Sequence, residues 1–199
     1  MTFFAAKRGT GEAWLPGAFT AEEIRRSRGP KELVDPWRPI AVWDETEVAA
    51  PGESVTCRVV LLAGAECPFT CAMCDLWRHT LDGPTPPGSL PAQIAAALEL
   101  PADPELGEPR WIKLYNASNF TDPRAVPPAD VARIASLVEG FERVIVETHP
   151  RLVDASLGAF AARLTGRLEV AMGLETIDPR FLPWLNKQMT PGHFTAATA

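Results

Sequence analysis

The alternation of strand-like and helix-like segments constrains the fold of this chain more than any other feature. Short apolar runs predict strands at 55–62, 111–115, 144–146 and 168–172. Apolar spacings of three and four residues predict helices at 91–98, 131–139 and 157–164, and 191–199 reads as the start of another. Repeated strand–helix units predict a parallel sheet with right-handed crossovers.

The predicted fold class is α/β, in the form of a partial (βα) barrel. No G-x-G-x-x-G follows a strand, so the fingerprint of a dinucleotide-binding fold is missing. The chain stops as its fourth helix begins, after about four βα units, so we expect an interrupted fold and a piece of a longer chain. In such sheets, functional groups collect at the carboxyl ends of the strands.

The first 52 residues differ in composition from the rest. They are rich in proline and charge and carry Trp14, Trp37 and Trp43. We predict an irregular N-terminal extension (1–52) with one short helix at 21–28, followed by a core domain (53–199) that is incomplete at its C-terminus. A basic cluster at Arg25, Arg26, Arg28 and Lys31 is interpreted as a solvated face.

Charge and hydropathy restrict where the protein acts. The net charge of −6 gives no support to broad binding of nucleic acid or anionic membranes. No segment approaches the roughly 20 apolar residues that a membrane span needs, and the N-terminus lacks a signal-peptide pattern. We therefore expect a cytoplasmic protein, in which clustered thiols bind metal more often than they form disulfides.

Three cysteines follow the first predicted strand closely. Cys67, Cys71 and Cys74 are spaced C-x3-C-x2-C, and three thiolates without a nearby fourth suggest an iron–sulfur cluster with one open iron. Zinc bound by the three cysteines and His79 is the alternative. Cys57 lies within the strand itself and is most simply a small buried apolar residue.

This cysteine spacing, directly after a first strand, resembles the signature of the radical S-adenosylmethionine (SAM) superfamily. Later segments at the strand ends agree with that resemblance, which spans about residues 56–194. They are similar to the branch that contains the Elongator catalytic subunit and the archaeosine synthase radical subunit. These segments are KLYNASNF (113–120), VETHP (146–150), GLET (173–176) and LNK (185–187).

The resemblance implies a mechanism and a set of site residues. Cys67, Cys71 and Cys74 would hold three irons of a [4Fe–4S] cluster, and SAM would chelate the fourth. Reductive cleavage of SAM would release methionine and a 5′-deoxyadenosyl radical, which abstracts hydrogen from a substrate. The implied SAM-binding residues are Met73 near the adenine, Tyr115 and Asn116 near the amino group, Glu147 and Glu175 facing SAM, and Lys187 near the carboxylate.

The resemblance also implies partners, and rival interpretations stay open. An electron donor such as flavodoxin or ferredoxin is expected, and the branch makes tRNA a candidate substrate by analogy alone. The rivals are a non-catalytic zinc or iron–sulfur module and a truncated, inactive fragment. Taken singly, Glu147 is also explained as a strand-end carboxylate, Glu175 as a cap for 177–185, and Lys187 as a surface lysine. His149 has no evident catalytic partner.

Overall fold

The computed structural model describes residues 17–199, and Trp14 lies outside this range. Its centre is a five-stranded sheet in the order β1-β2-β3-β4-β5. β1 is antiparallel to β2, and every later pair is parallel. The strands are β1 (Ala41–Ala50), β2 (Glu53–Leu62), β3 (Trp111–Asn116), β4 (Arg143–Glu147) and β5 (Arg167–Ala171). The predicted α/β class is confirmed, and the sheet agrees with a partial barrel.

Helices precede, connect and follow the strands of the sheet, and the second, third and fourth of them connect parallel strands. They are α1 (Ala21–Ser27), α2 (Ser89–Leu98), α3 (Val131–Leu137), α4 (Ala155–Ala161), α5 (Leu182–Leu185) and α6 (Pro191–Thr198), with 3-10 turns at Leu76–His79 and Pro150–Leu152. α1 begins with a capping box, in which the Thr20 hydroxyl accepts from Glu23 N while the Glu23 carboxylate accepts from Thr20 N. Among residues 17–199, no helix is both long and apolar enough to span a membrane.

The main core lies between these helices and one face of the sheet. Leu62 and Leu114 on the strands meet Ile94, Ile134 and Phe160 on the helices, and all of these side chains are almost fully buried. A smaller cluster lies on the other face, where Cys57 packs with its neighbours at zero exposure. Cys57 is thus a buried apolar residue, as its place in the strand predicted.

The segment predicted to be irregular contains a strand, and this corrects the description of the extension. β1 pairs with β2 in a hairpin whose turn uses Gly52 at φ +81°, a left-handed conformation that favours glycine. A buried ion pair joins the two strands, with Arg58 Nε 2.8 Å from Asp44 Oδ1. The extension therefore supplies the edge strand of the sheet. The division of the chain at residue 52 stays a prediction.

The strand register brings the polar strand ends to one edge of the sheet. Leu62 is level with Asn116, and Glu147 is level with Ala171. Because β2 to β5 are parallel, the loops that leave these residues start side by side. The cysteine loop leaves first, directly beyond Leu62.

Candidate iron–sulfur and cofactor site

The loops beyond the strand ends enclose a cavity of about 210 Å³. All three loop cysteines line it, together with most of the residues that the sequence singled out. Its lining consists of Cys67, Phe69, Cys71, Met73, Cys74, Leu76, Asn116, Ala117, Ser118, Asn119, Glu147, Thr148, His149, Gly173, Glu175 and Lys187.

Buried polar side chains fix the turn between β2 and the cysteine loop. Gln93, fully buried on α2, accepts from Ala63 N at 2.8 Å and donates to Ala63 O at 2.9 Å. The Thr85 hydroxyl accepts from Ala65 N at 2.9 Å. Because these bonds satisfy the buried backbone groups of the turn, the chain enters the loop in a fixed direction.

The N-terminal extension holds the loop from outside. Glu66, next to Cys67, accepts from Arg28 Nη1 at 2.7 Å, and Lys31 Nζ lies 2.9 Å from its other oxygen. These contacts lower the Glu66 pKa against the opposing effect of burial. The prediction of a solvated basic face is therefore wrong for Arg28 and Lys31, which are partly buried.

The segment after α5 holds the loop from the opposite side. The Asn186 side chain donates to both Thr70 O and Thr70 Oγ1 at 2.8 Å. Ala72 N donates to Leu185 O at 2.8 Å. Asn186 adopts φ +47°, in the left-handed region that asparagine tolerates better than most residues. The middle of the cysteine loop is thus anchored to residues more than 100 positions later.

The three loop thiols are free and partly buried. Burial raises the pKa of Cys67, and two N–H donors, Phe69 N and the Asn119 side chain, oppose it. Burial, followed by the neighbouring Cys67, raises the pKa of Cys71 to about 11. Burial thus favours the protonated forms of Cys67 and Cys71, and a metal must displace their protons to bind.

The arrangement of the possible metal ligands distinguishes a single-ion site from a cluster site. Within residues 17–199, no group of three or more His, Cys, Asp or Glu side chains is arranged around a single ion. His79, the suggested fourth zinc ligand, is not in the cavity lining, and its Nδ1 lies 3.4 Å from Glu32. A cubane places its thiolates on three different irons, so it needs three thiols around one cavity instead. The donor set fits that requirement.

A carboxylate–ammonium cluster forms another wall of the cavity. Lys187 Nζ donates to Gly173 O at 2.6 Å and to Glu175 Oε1 at 2.8 Å, and its side chain is only 12% exposed. A surface lysine is thus the wrong description. Burial raises the Glu147 pKa, the Lys187 charge opposes this shift, and Glu175 adds to it.

His149 is a structural link between the loops rather than an isolated side chain. Its ring stacks on Phe69 at 3.8 Å between centroids. Its Nδ1 accepts from Arg151 N, so the proton lies on Nε2, which donates to Lys187 O at 2.9 Å. Burial lowers the His149 pKa to about 4, so the ring is neutral at neutral pH.

Of the remaining predicted residues, Met73 and Asn116 line the cavity and Tyr115 does not. Met73 is 49% exposed at the rim of the cavity, whereas Asn116 is buried in its wall. Tyr115 is absent from the lining because successive strand residues face opposite ways, and its ring packs against the small cluster around Cys57. Its side chain is thus not a cavity group.

Sequence reasoning did not single out Asn119 and Phe69. Asn119 Nδ2 donates to Cys67 Sγ at 3.3 Å. Asn119 lies only three residues beyond the end of β3, so its place at a strand end was a usable signal. The contact of Phe69 with His149 joins residues that are distant in sequence, and no local sequence pattern predicts it.

A solved structure resembles part of this chain in fold. No protein-family model and no curated protein matches the chain. A solved structure of a queuine lyase from Clostridium spiroforme, bound to SAM and queuine, is similar in fold, with 16% identity and a TM-score of 0.49. The match covers 74% of this chain and 60% of that one, so the chain spans less than two thirds of that protein.

Proposed function

We propose that this chain is a radical SAM enzyme, or the part of one that holds the cluster. The observation that carries the proposal is that Cys67, Cys71 and Cys74 line a single cavity with polar groups from the next strand ends. A purely structural zinc site needs four ligands around one ion. Three thiols beside a buried amide and partly exposed carboxylate and ammonium groups instead fit a cluster with a polar ligand on its open iron.

In this proposal each loop cysteine binds one iron as a thiolate. When bound, the cluster supplies the low-potential electron that cleaves SAM to methionine and a 5′-deoxyadenosyl radical, which takes hydrogen from the substrate. The bonds from Gln93, Glu66 and Asn186 keep the loop in place before the cluster arrives. Such preorganisation reduces the ordering needed on binding.

The other lining residues would orient SAM. The Lys187 ammonium can pair with its carboxylate, and Glu147 and Glu175 can accept from its amino and hydroxyl groups. Met73 offers an apolar contact for the adenine at the rim of the cavity. Asn116 supplies an amide at the end of β3, and the Tyr115 assignment is limited to its backbone.

The finer proposals follow from the sequence resemblance. We propose that the chain belongs to the branch of the Elongator catalytic subunit and the archaeosine synthase radical subunit. We also propose that a flavodoxin or ferredoxin is its electron donor. The proposed location is the cytoplasm. The substrate is open, and tRNA is the candidate that analogy supplies.

The test is formation of 5′-deoxyadenosine. The anaerobically reconstituted chain is incubated with SAM and dithionite, and the nucleoside is measured by mass spectrometry. We expect product from the parent and none from Cys71→Ala. An iron-loaded parent that makes no product would support the inactive-fragment alternative, and zinc without iron would support the non-catalytic module.

A further inference from the structure

Asn119 has both ends of its side-chain amide committed to specific partners. It is 3% exposed, its Oδ1 accepts from His149 N at 2.7 Å, and its Nδ2 donates to Cys67 Sγ at 3.3 Å. The backbone N–H of His149 can only donate, so the oxygen must face it. The NH₂ group therefore faces the sulfur, and the amide orientation follows from the bonding rather than from a choice between two similar atoms.

The surrounding backbone keeps the amide from turning away. The Asn119 carbonyl accepts from Asp122 N at 3.1 Å, and the next residue, Phe120, donates from its backbone N–H to Glu147 O at 2.8 Å. The loop after β3 thus forms a turn just beyond Asn119 and is joined to the end of β4 through Phe120. The donor is held at the sulfur by three separate bonds, so it needs no reorganisation when the charge on the sulfur changes.

We infer that Asn119 is a positioning residue that sets the reduction potential of the cluster bound through Cys67. This inference rests on the proposed function. Hydrogen bonds to cluster sulfurs are among the factors that set cluster potentials. Reduction adds one negative charge, so an N–H donor binds the reduced form more strongly than the oxidised form. The Asn119 amide therefore raises the potential and makes reduction easier.

The effect is concentrated on one of the three cysteines. The hydrogen bond from Asn119 Nδ2 is made to Cys67 Sγ at 3.3 Å. Because the donor is a side chain, its contribution can be removed by substitution.

The test compares cluster potentials in three variants, measured without SAM. Asn119→Leu removes the donor at similar volume, and Asn119→Asp removes it while keeping an oxygen for His149 N. Asn116→Leu is the matched control, because Asn116 is an equally buried amide in the same cavity whose Oδ1 accepts from Ser118 N. Iron content and the midpoint potential are determined for each reconstituted protein by redox titration followed by EPR.

We expect both Asn119 variants to hold iron and to shift to more negative potential. In Asn119→Leu, the ratio of reduced to oxidised cluster at a fixed solution potential should fall about tenfold. This corresponds to a shift of about 59 mV in the midpoint potential of a one-electron couple. Asn119→Asp should shift further because it adds charge. Asn116→Leu should stay closer to the parent.

The outcomes separate this inference from the proposed function. A parent that assembles no cluster contradicts the proposed function itself. A parent with a cluster, and variants that keep both iron and the parent potential, would overturn the inference alone. Loss of the cluster from both Asn119 variants would also overturn it, since Asn119 would then be needed for assembly rather than for the potential.

Discussion

The core beneath the helices and the cavity at the strand ends lie on the same strands but bury opposite kinds of group. β3 shows the change within a few residues: Ile112 and Leu114 are buried among apolar side chains, and Asn116 begins the cavity wall. Beyond it, Asn119 and His149 are also nearly fully buried. The apolar core gains stability by removing apolar surface from water. In the cavity, each polar group that is buried needs a hydrogen-bond partner.

This difference indicates which region serves function. The buried amides and His149 of the cavity have hydrogen-bond partners, but Cys67, Cys71 and Glu147 have raised pKa values because burial disfavours their charged forms. Apolar residues in place of buried ionic groups are often at least as stable. The cavity is therefore best explained by ligands that use these groups. Substitutions in the two regions should then separate stability from metal binding.

The largest expected effect is loss of iron on substitution of a loop cysteine. Cys71→Ala should reduce iron per chain to near zero after reconstitution and leave the thermal stability of the metal-free protein almost unchanged. The matched control is Cys57→Ala, in the core, which should keep its iron and lose about 1 kcal/mol of unfolding free energy. Iron analysis and denaturant unfolding measure the two quantities in each variant. Equal iron loss in both variants would contradict the assignment of iron binding to the loop cysteines.

The second effect belongs to the core. Leu114→Ala leaves a space between β3 and the helices, and we expect a loss of about 2–5 kcal/mol in the free energy of unfolding. Urea unfolding monitored by circular dichroism measures it. A loss below about 1 kcal/mol would show that this face of the sheet is not the main source of stability.

The third effect concerns the carboxylate–ammonium cluster. An added Cβ at Gly173 would lie 2.6 Å from Lys187 Nζ and 2.5 Å from Glu175 Oε1, so Gly173→Ala must displace that pair. We expect SAM affinity to fall about tenfold, the equivalent of one lost charged contact. The control is Gly158→Ala in α4, where the added methyl meets nothing within 4 Å and should stabilise the helix. Unchanged SAM binding in Gly173→Ala would exclude Lys187 and Glu175 from the SAM site.

The smallest effect is a pH dependence that arises in the cavity. Burial lowers the His149 pKa to about 4, helped by the charges of Lys187, Arg151 and His193. The unfolded histidine titrates near 6.5, so the unfolded state binds more protons between about pH 6.5 and 4. The free energy of unfolding should therefore fall as the pH falls through this window. His149→Gln should flatten that slope in urea unfolding at several pH values, and an unchanged slope would assign it to other groups.

Much of the fold could be predicted because its signals are local. The predicted strands match β2 to β5 closely, since apolar runs bounded by turn residues mark them. β1 was missed although Val42 to Val48 partly alternates before Pro51 and Gly52, because the proline and charge of residues 1–52 indicated an irregular extension. Those charged residues form ion pairs with the neighbouring strands, Asp44 with Arg58 and Glu45 with Lys113.

The site was predictable only where its residues follow strands directly. The cysteines were proposed from their spacing, and Asn116, Glu147, Glu175 and Lys187 from the family resemblance. The structure places all of them in the lining of one cavity, and their roles stay predictions. The bonds from Arg28 to Glu66 and from Asn186 to Thr70 cross 38 and 116 positions. Such contacts depend on tertiary packing, which no local period in the sequence encodes.

Metal analysis combined with EPR, before and after SAM is added, would show whether the cavity holds a SAM-binding cluster. We expect about four irons per chain after anaerobic reconstitution, a reduced [4Fe–4S] signal, and a change of that signal when SAM binds the open iron. Stoichiometric zinc without iron, or a cluster signal that SAM leaves unchanged, would contradict this expectation.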